Sequence, residues 1–239
     1  MELKAKVAIV TGAGRGIGKA VALALAEKGC RLLITARNEA ELEAAEAQIR
    51  SRGGEARRIA VDLAGPGGPG RVTEAALSAF GTIDILINNA AILYDTRFLE
   101  VSEEEWDRVM SVNLKAPFLL SQASLRVMRE KRSGYIINIS STAALQVPVT
   151  LTTYGTSKKA LIGLSEALYE TAKEFGVKVS VIYPGMTDTE MLRGFNPPVP
   201  PDRWMKTDDI VGCILFLLEQ SERVVLRDLV PWAVRHDKI

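Results

Sequence analysis

The stretch Val7-Ala-Ile-Val-Thr-Gly-Ala-Gly-Arg-Gly-Ile-Gly18 decides how this chain folds. Val7-Ala-Ile-Val10 is apolar throughout and reads as a strand buried on both faces. A glycine-rich turn follows, then a helical pattern through Ala20–Lys28. That order sets a helix N-terminus beyond the carboxyl end of a strand, where free N–H groups and a partial positive charge suit an anion. Glycine lets the backbone approach such a group closely, as a pyrophosphate requires. Gly12, Gly16 and Gly18 fit the spacing TGxxxGxG; Ile17 and Lys19 stand where GxGxxG would need its third glycine. Gly12, Arg15, Gly16, Ile17 and Gly18 are the candidate phosphate-binding residues.

The same alternation continues outward. Arg31–Thr35 reads as a second strand and Glu39 to Arg50 as a helix, followed by a short strand at Ala56–Val61. Gly65–Gly70 is a loop by composition, and a helix follows to Phe80. Ile83–Ile87 is the fourth strand. Ser102-Glu-Glu-Glu105 has the form of a capping box opening a long helix that ends near Arg129. Tyr135–Ile139 is the fifth strand, a helix runs from about Tyr154 to Phe175, and Val177–Tyr183 is the sixth strand. Pro197, Pro198, Pro200 and Pro201 mark a long irregular segment; Thr207-Asp-Asp209 caps a last helix through Leu218, and Val224–Val234 offers a seventh strand. Wholly apolar strands alternating with helices predict a parallel sheet covered on both faces, with right-handed crossovers. The expected class is α/β: a single doubly wound Rossmann domain over residues 1–239, with about seven strands. Ligands in such folds bind beyond the carboxyl ends of the strands, and every motif below falls there.

Composition excludes several functions. The 239 residues carry a net charge of +1, so no electrostatic footprint points to nucleic acid or an anionic membrane. No apolar run approaches the length of a membrane helix, and Met1–Lys6 lacks the features of a signal peptide. Cys30 and Cys213 have no metal-type spacing, and a cytoplasmic location is expected. The single histidine, His236, lies in the C-terminal tail, which argues against a His-based triad or a His-rich metal site; no metal is expected.

At the end of the second strand an NAD-type site would place an acid to accept from the ribose 2′-hydroxyl. This chain reads Thr35-Ala-Arg-Asn38, with no acid until Glu39. Arg37 suits a 2′-phosphate, with Arg15 as the other jaw, so NADP(H) is expected over NAD(H). Asp62 and Leu63 follow the third strand, where Asp62 could meet an adenine amino group or simply start a helix. Asn88-Asn-Ala-Ala91 ends the fourth strand and suits contact with a ribose or with neighbouring backbone; Asn89 and Ala90 are the candidates. Asn113 sits inside the long helix, an unfavourable place for Asn, where its side chain could hold a water or a freed carbonyl or face solvent. Ser140 and Ser141 end the fifth strand beside the expected site. Tyr154 and Lys158, four apart, share one helix face, and a cation beside the phenol would favour its ionised form.

Together these residues resemble the short-chain dehydrogenase/reductase family. The resemblance rests on Thr11–Gly18, Asn88-Asn-Ala90, Asn113, Ser141, Tyr154 with Lys158, and Pro184-Gly185. It implies a tetrad of Asn113, Ser141, Tyr154 and Lys158, with the family's spacing selecting Ser141 over Ser140. In it Ser141 orients a substrate carbonyl, Tyr154 donates the proton, Lys158 lowers the Tyr154 pKa and holds the nicotinamide ribose, and Asn113 positions a water. Pro184, Gly185 and Thr189 would meet the nicotinamide, and a substrate lid would span about 186–206. Leu93, Tyr94, Leu145, Met191, Leu192, Phe195 and Trp204 would line an apolar substrate pocket. The implied function is NADPH-dependent reduction of a ketone or aldehyde. A 3-oxoacyl-(acyl-carrier-protein) reductase stands level with a general carbonyl reductase, because Arg132 suits carrier docking while Phe175 occupies the second basic position. A non-catalytic NADP(H) sensor is the alternative from another class. The family implies a homodimer or homotetramer, and the atypical ending Arg227–Val234 favours the dimer.

Overall fold

In a computed structural model the described residues are 1–195, 197 and 199–234. His236, Pro198 and the rest of the charged tail from 235 lie outside them. Seven strands form one sheet: β1 (Val7–Thr11), β2 (Arg31–Ala36), β3 (Glu55–Ala60), β4 (Ile85–Asn88), β5 (Gly134–Ile139), β6 (Val177–Ile182) and β7 (Asp228–Leu229). Their order is β3-β2-β1-β4-β5-β6-β7, and every pairing is parallel. Chain order therefore reverses between β1 and β4, and a crevice opens there at the carboxyl ends.

Two cores follow from the pleat, because successive side chains in a strand point to opposite faces. Ala8 and Val10 of β1 pack in a cluster with Val21 and Leu25 of α1 (Gly16–Glu27), Leu42 and Ile49 of α2 (Glu39–Ser51), and Ile210 and Ile214 of the late helix Thr207–Glu219. Val7 and Ile9 belong to the opposite cluster, with Val72 and Ala76 of α3 (Gly68–Phe80), Leu120 of the helix Ala116–Lys131, and Ala172. This is why β1, β4 and β5 are apolar without alternation.

Several elements depart from the sequence reading. The expected long helix is α4 (Glu103–Met110) and α5 (Ala116–Lys131) joined by a π turn at Ser111–Lys115, where the Ala116 N–H reaches the Ser111 carbonyl. Ser102 caps α4 by accepting from the Glu105 N–H at 3.1 Å, but the Glu105 carboxylate does not complete a box. It accepts from Thr153 Oγ1 instead, at 2.7 Å, at the start of α6 (Thr152–Ala172). The glycine-rich 65–70 loop supplies the first turn of α3. The segment read as irregular carries α7 (Glu190–Phe195) and a 3₁₀ turn at Pro201–Arg203 before α8 (Thr207–Glu219). Of the expected cap Thr207-Asp-Asp209, it is Asp209 that acts, accepting from the Lys206 N–H at 2.7 Å. β7 is only two residues long, but its parallel run extends along β6. Val181, Tyr183 and Gly185 N–H groups bond to the Arg227, Leu229 and Pro231 carbonyls at 2.8, 2.9 and 3.1 Å. Pro231, lacking an N–H, needs no partner on its outer side.

Candidate active site

A cleft of about 1510 Å³ runs across the carboxyl ends of the strands. Its floor is the turn after β1. The Thr11 hydroxyl accepts from the Asn89 and Ala90 N–H groups, both at 3.0 Å, and donates to the Ile87 carbonyl at 3.3 Å. Asn89 Nδ2 returns bonds to the Thr11 and Gly12 carbonyls at 2.8 and 3.3 Å. The end of β4 and the glycine turn are thus one stitched unit, and the role of Thr11 in it was not evident from the sequence. A Cβ at Gly18 would lie 2.3 Å from the Gly12 carbonyl oxygen, so only glycine lets α1 start against that turn. Gly18 is buried behind the loop, while Gly12, Arg15, Gly16 and Ile17 line the cleft. No side chain caps the N-terminus of α1, which leaves its N–H groups for a ligand anion.

At one end of the cleft stand Arg15, Arg37, Asp62 and Leu63. Arg15 and Arg37 are exposed. Asp62 holds Arg108 at 2.8 Å through one oxygen and accepts from the Ala64 N–H at 3.1 Å through the other. The bond from Arg108 is the main reason its carboxyl sits below the usual range. Asp62 thereby closes a local turn and does not start a helix, since α3 begins at Gly68 with Gly67 as its cap. Glu41, absent from the sequence expectations, also reaches this end, 4.0 Å from Arg15.

The other end holds Ser141, Tyr154 and Lys158. β5 and α6 are locked together just beneath them. Lys158 Nζ donates to the Ile139 carbonyl at 2.7 Å, and the Ser140 hydroxyl donates to the Lys158 carbonyl at 3.0 Å. Ser140 is therefore buried and committed, whereas the partly exposed Ser141 faces Tyr154. The Ser141 oxygen also accepts from the Ala143 N–H at 3.1 Å, which orients it. Burial raises the Tyr154 pKa, and the Ser141 hydroxyl is what pulls it back down. Burial alone lowers Lys158 to about 7. Its Nζ sits 5.7 Å from the centroid of the Tyr154 ring. Burial, rather than a neighbouring charge, is the main influence on both groups, and it moves the phenol up and the ammonium down.

Asn113 does not face solvent. It is fully buried in the π turn, where Oδ1 accepts from the Ile92 N–H and Nδ2 donates to the Ile92 carbonyl, both at 2.9 Å. The second amide proton goes to Ser157 Oγ at 3.0 Å. Asn113 thus ties the irregular segment after β4 to α6, beside Tyr154. Thr153, held by Glu105, fixes the same helix from the α4 side, and nothing in the sequence spacing announced that contact.

Pro184, Gly185 and Thr189 all line the cleft. The segment behind them is anchored at its base. Asp188 pairs with Arg193 at 2.8 Å and with Lys206 at 2.9 Å, which together hold its carboxyl well below the usual range. Of the expected pocket residues, Leu93, Met191, Leu192 and Phe195 line the cleft. Tyr94, Leu145 and Trp204 do not: the first two project to solvent, and Trp204 is buried with Nε1 on the Val199 carbonyl at 2.8 Å. Trp232 and Ala233 join the wall instead, carried there by the run of the C-terminal segment along β6.

Residues 6–199 match the short chain dehydrogenase family. The chain belongs to that family. An uncharacterized oxidoreductase of Thermotoga maritima is 34% identical, covering 90% of this chain and 91% of that protein. The 3-oxoacyl-[acyl-carrier-protein] reductase of Vibrio cholerae is 35% identical over 91% of each. Among solved structures, a metagenomic short-chain oxidoreductase in complex with NADP superposes with a TM-score of 0.84 at 32% identity, covering 97% of this chain and 99% of that one. NAD⁺-bound xylitol dehydrogenase superposes at 0.88 with 28% identity, over 98% and 100%. Short-chain dehydrogenases bind a nicotinamide cofactor and act on small molecules. The residues here fit one: the Gly12–Gly18 cradle has no room for a Cβ, and the uncapped α1 faces an elongated cleft. Among the described residues no cluster could hold a metal, and no helix is long and apolar enough to cross a membrane.

Proposed function

We propose that this protein is an NADPH-dependent reductase of ketone or aldehyde carbonyls, with Tyr154 as the acid. The observation that carries the reading is the facing pair of Ser141 and Tyr154 hydroxyls in the cleft, with Lys158 one helical turn behind. Gly12, Gly16, Ile17, Asn89, Ala90, Pro184, Gly185 and Thr189 would hold the dinucleotide, with Gly18 as the close-packed support. Arg15 and Arg37 would receive the 2′-phosphate, and Asp62 and Leu63 the adenine. The bound cofactor supplies hydride to the carbonyl carbon.

Ser141 donates a hydrogen bond that orients the carbonyl oxygen, and Tyr154 gives that oxygen its proton. A phenol kept protonated by burial is the right form for the reductive direction. Lys158, near its own midpoint at neutral pH, can replace the proton and bind the nicotinamide ribose. Asn113 acts on this group as a positioning residue, through the π turn and Ser157, and its neighbouring carbonyls are where a relay water would bind. Leu93, Met191, Leu192 and Phe195 favour a substrate with an apolar body.

The two substrate classes differ in what the protein must dock. The Vibrio cholerae relative favours a 3-oxoacyl thioester. Against a carrier-docking face, Arg129 stacks over Phe175 at 5.9 Å and bonds to Glu130 at 2.9 Å, while Arg132 donates to the Glu174 carbonyl at 3.2 Å.

The test is NADPH oxidation, followed by absorbance, on an acetoacetyl thioester, a β-keto ester, a diketone and an aromatic aldehyde. NADH and Tyr154→Phe are the controls. The expected result is turnover with NADPH that exceeds NADH and falls by 10²-fold or more in the variant, on the order of a general-acid contribution. Tight NADPH binding with no turnover on any member would favour a cofactor sensor.

A further inference from the structure

The acid that the end of β2 lacks is supplied from elsewhere. Asn38 caps α2 by accepting from the Ala40 and Glu41 N–H groups at 3.0 and 3.3 Å, which sets Glu41 in the first turn of that helix. Glu39, the first acid in the sequence after β2, is drawn away to Arg58 at 2.8 Å. Glu41 points the other way, into the cleft, and packs on the glycine-rich turn. A Cβ at Gly14 would stand 2.8 Å from Glu41 Oε2 and 2.9 Å from Glu41 Cβ. Gly14 is not among the glycines of the TGxxxGxG spacing and does not have a positive φ. What requires glycine there is the Glu41 side chain.

Resting on the cofactor reading above, we propose that Glu41 is a specificity-determining residue that weakens the site's preference for a 2′-phosphate. Its carboxylate lies 4.0 Å from the Arg15 guanidinium, so it offsets one of the two cations that would receive that phosphate. It also repels the phosphate directly. Toward an unphosphorylated ribose the same carboxylate is a hydrogen-bond acceptor, the role an acid at the end of β2 fills in NAD sites. The site therefore accepts NADH as well as NADPH, with the arginines on one side of the balance and Glu41 on the other.

Glu41→Gln removes the charge and keeps the shape. The measurement is the equilibrium Kd of NADPH and NADH, read by cofactor fluorescence, for both proteins at low and high salt. Adenosine 2′,5′-bisphosphate and ADP, measured calorimetrically, report the adenosine end alone. The variant should bind NADPH and the 2′,5′-bisphosphate about tenfold more tightly at low salt, the scale of removing one nearby unit charge at a protein surface. The gain should shrink at high salt, and NADH and ADP should bind equally or less well. An unchanged or weaker NADPH affinity, or parallel tightening of NADH, overturns the proposal. If the wild-type protein prefers NADH, the cofactor reading fails, while the shift between the two proteins still judges Glu41.

Discussion

Lys158 Nζ donates to the Ile139 carbonyl across 2.7 Å, and the adjoining Ser140 hydroxyl donates back to the Lys158 carbonyl across 3.0 Å. These reciprocal bonds clamp the carboxyl end of β5 onto the second turn of α6. They set the distance between the Ser141 and Tyr154 hydroxyls, the pair proposed to act on the substrate carbonyl, and they bury the lysine.

Burial makes stability depend on pH in a stated direction. Lys158 is depressed to about 7 in the folded chain from 10.5. Between those values the unfolded chain binds a proton that the folded chain has released, so stability rises with pH, by up to about 1.4 kcal/mol per unit from this group. Denaturant unfolding at pH 7.5 and 9 should show this slope, and Lys158→Met should lack it. Equal slopes would mean that the lysine stays charged in the fold.

The two serines should separate. Ser141→Ala should lower kcat at least tenfold while leaving the thermal midpoint nearly unchanged, because Ser141 bonds only to the Ala143 N–H within the fold apart from Tyr154. Ser140→Ala should cost about 1 kcal/mol of stability, the usual value of one buried hydrogen bond. Comparing kcat with the unfolding midpoint for both variants decides the assignment.

Asn113→Leu would leave the Ile92 N–H and carbonyl without their partners. An orphaned buried group costs about 1–3 kcal/mol, and Ile92, partly buried at the cleft wall, falls at the low end of that range. Urea unfolding should show a loss on the order of 2 kcal/mol, and amide exchange at Ile92 should accelerate. Slow exchange at Ile92 in the variant would show that Asn113 does not hold that segment.

Gly18→Ala should abolish cofactor binding and lower stability, because its Cβ would meet both the Gly12 carbonyl oxygen at 2.3 Å and Asn89 Nδ2 at 2.4 Å. The atoms displaced are those that shape the cradle. Calorimetric titration with NADPH is the direct check, and wild-type affinity would contradict the packing described.

The parallel sheet, its two helical layers and the place of the site were legible in the sequence. A strand buried on both faces must be apolar throughout, and a crossover between parallel strands must be long, so the alternation carries the topology by itself. The placement of Gly12, Gly18, Tyr154 and Lys158 was legible for a related reason: it depends on local turns and on helix spacing. Contacts between distant segments were not. Glu105 was read as a local cap, yet its carboxylate serves Thr153, 48 residues away. Glu41 was passed over beside Glu39, and only the packing of α2 on the glycine turn decides which acid enters the cleft. Trp232 reaches the wall because a proline-bearing segment runs along β6, while Trp204 turns inward. The Tyr154 and Lys158 pKa values depend on burial, a property of the whole fold. The sequence alone determined the pattern of elements, since periodicity and turn chemistry act over a few residues. Tertiary structure decided which polar groups meet and how dry they are, since both depend on chain segments brought together from far apart.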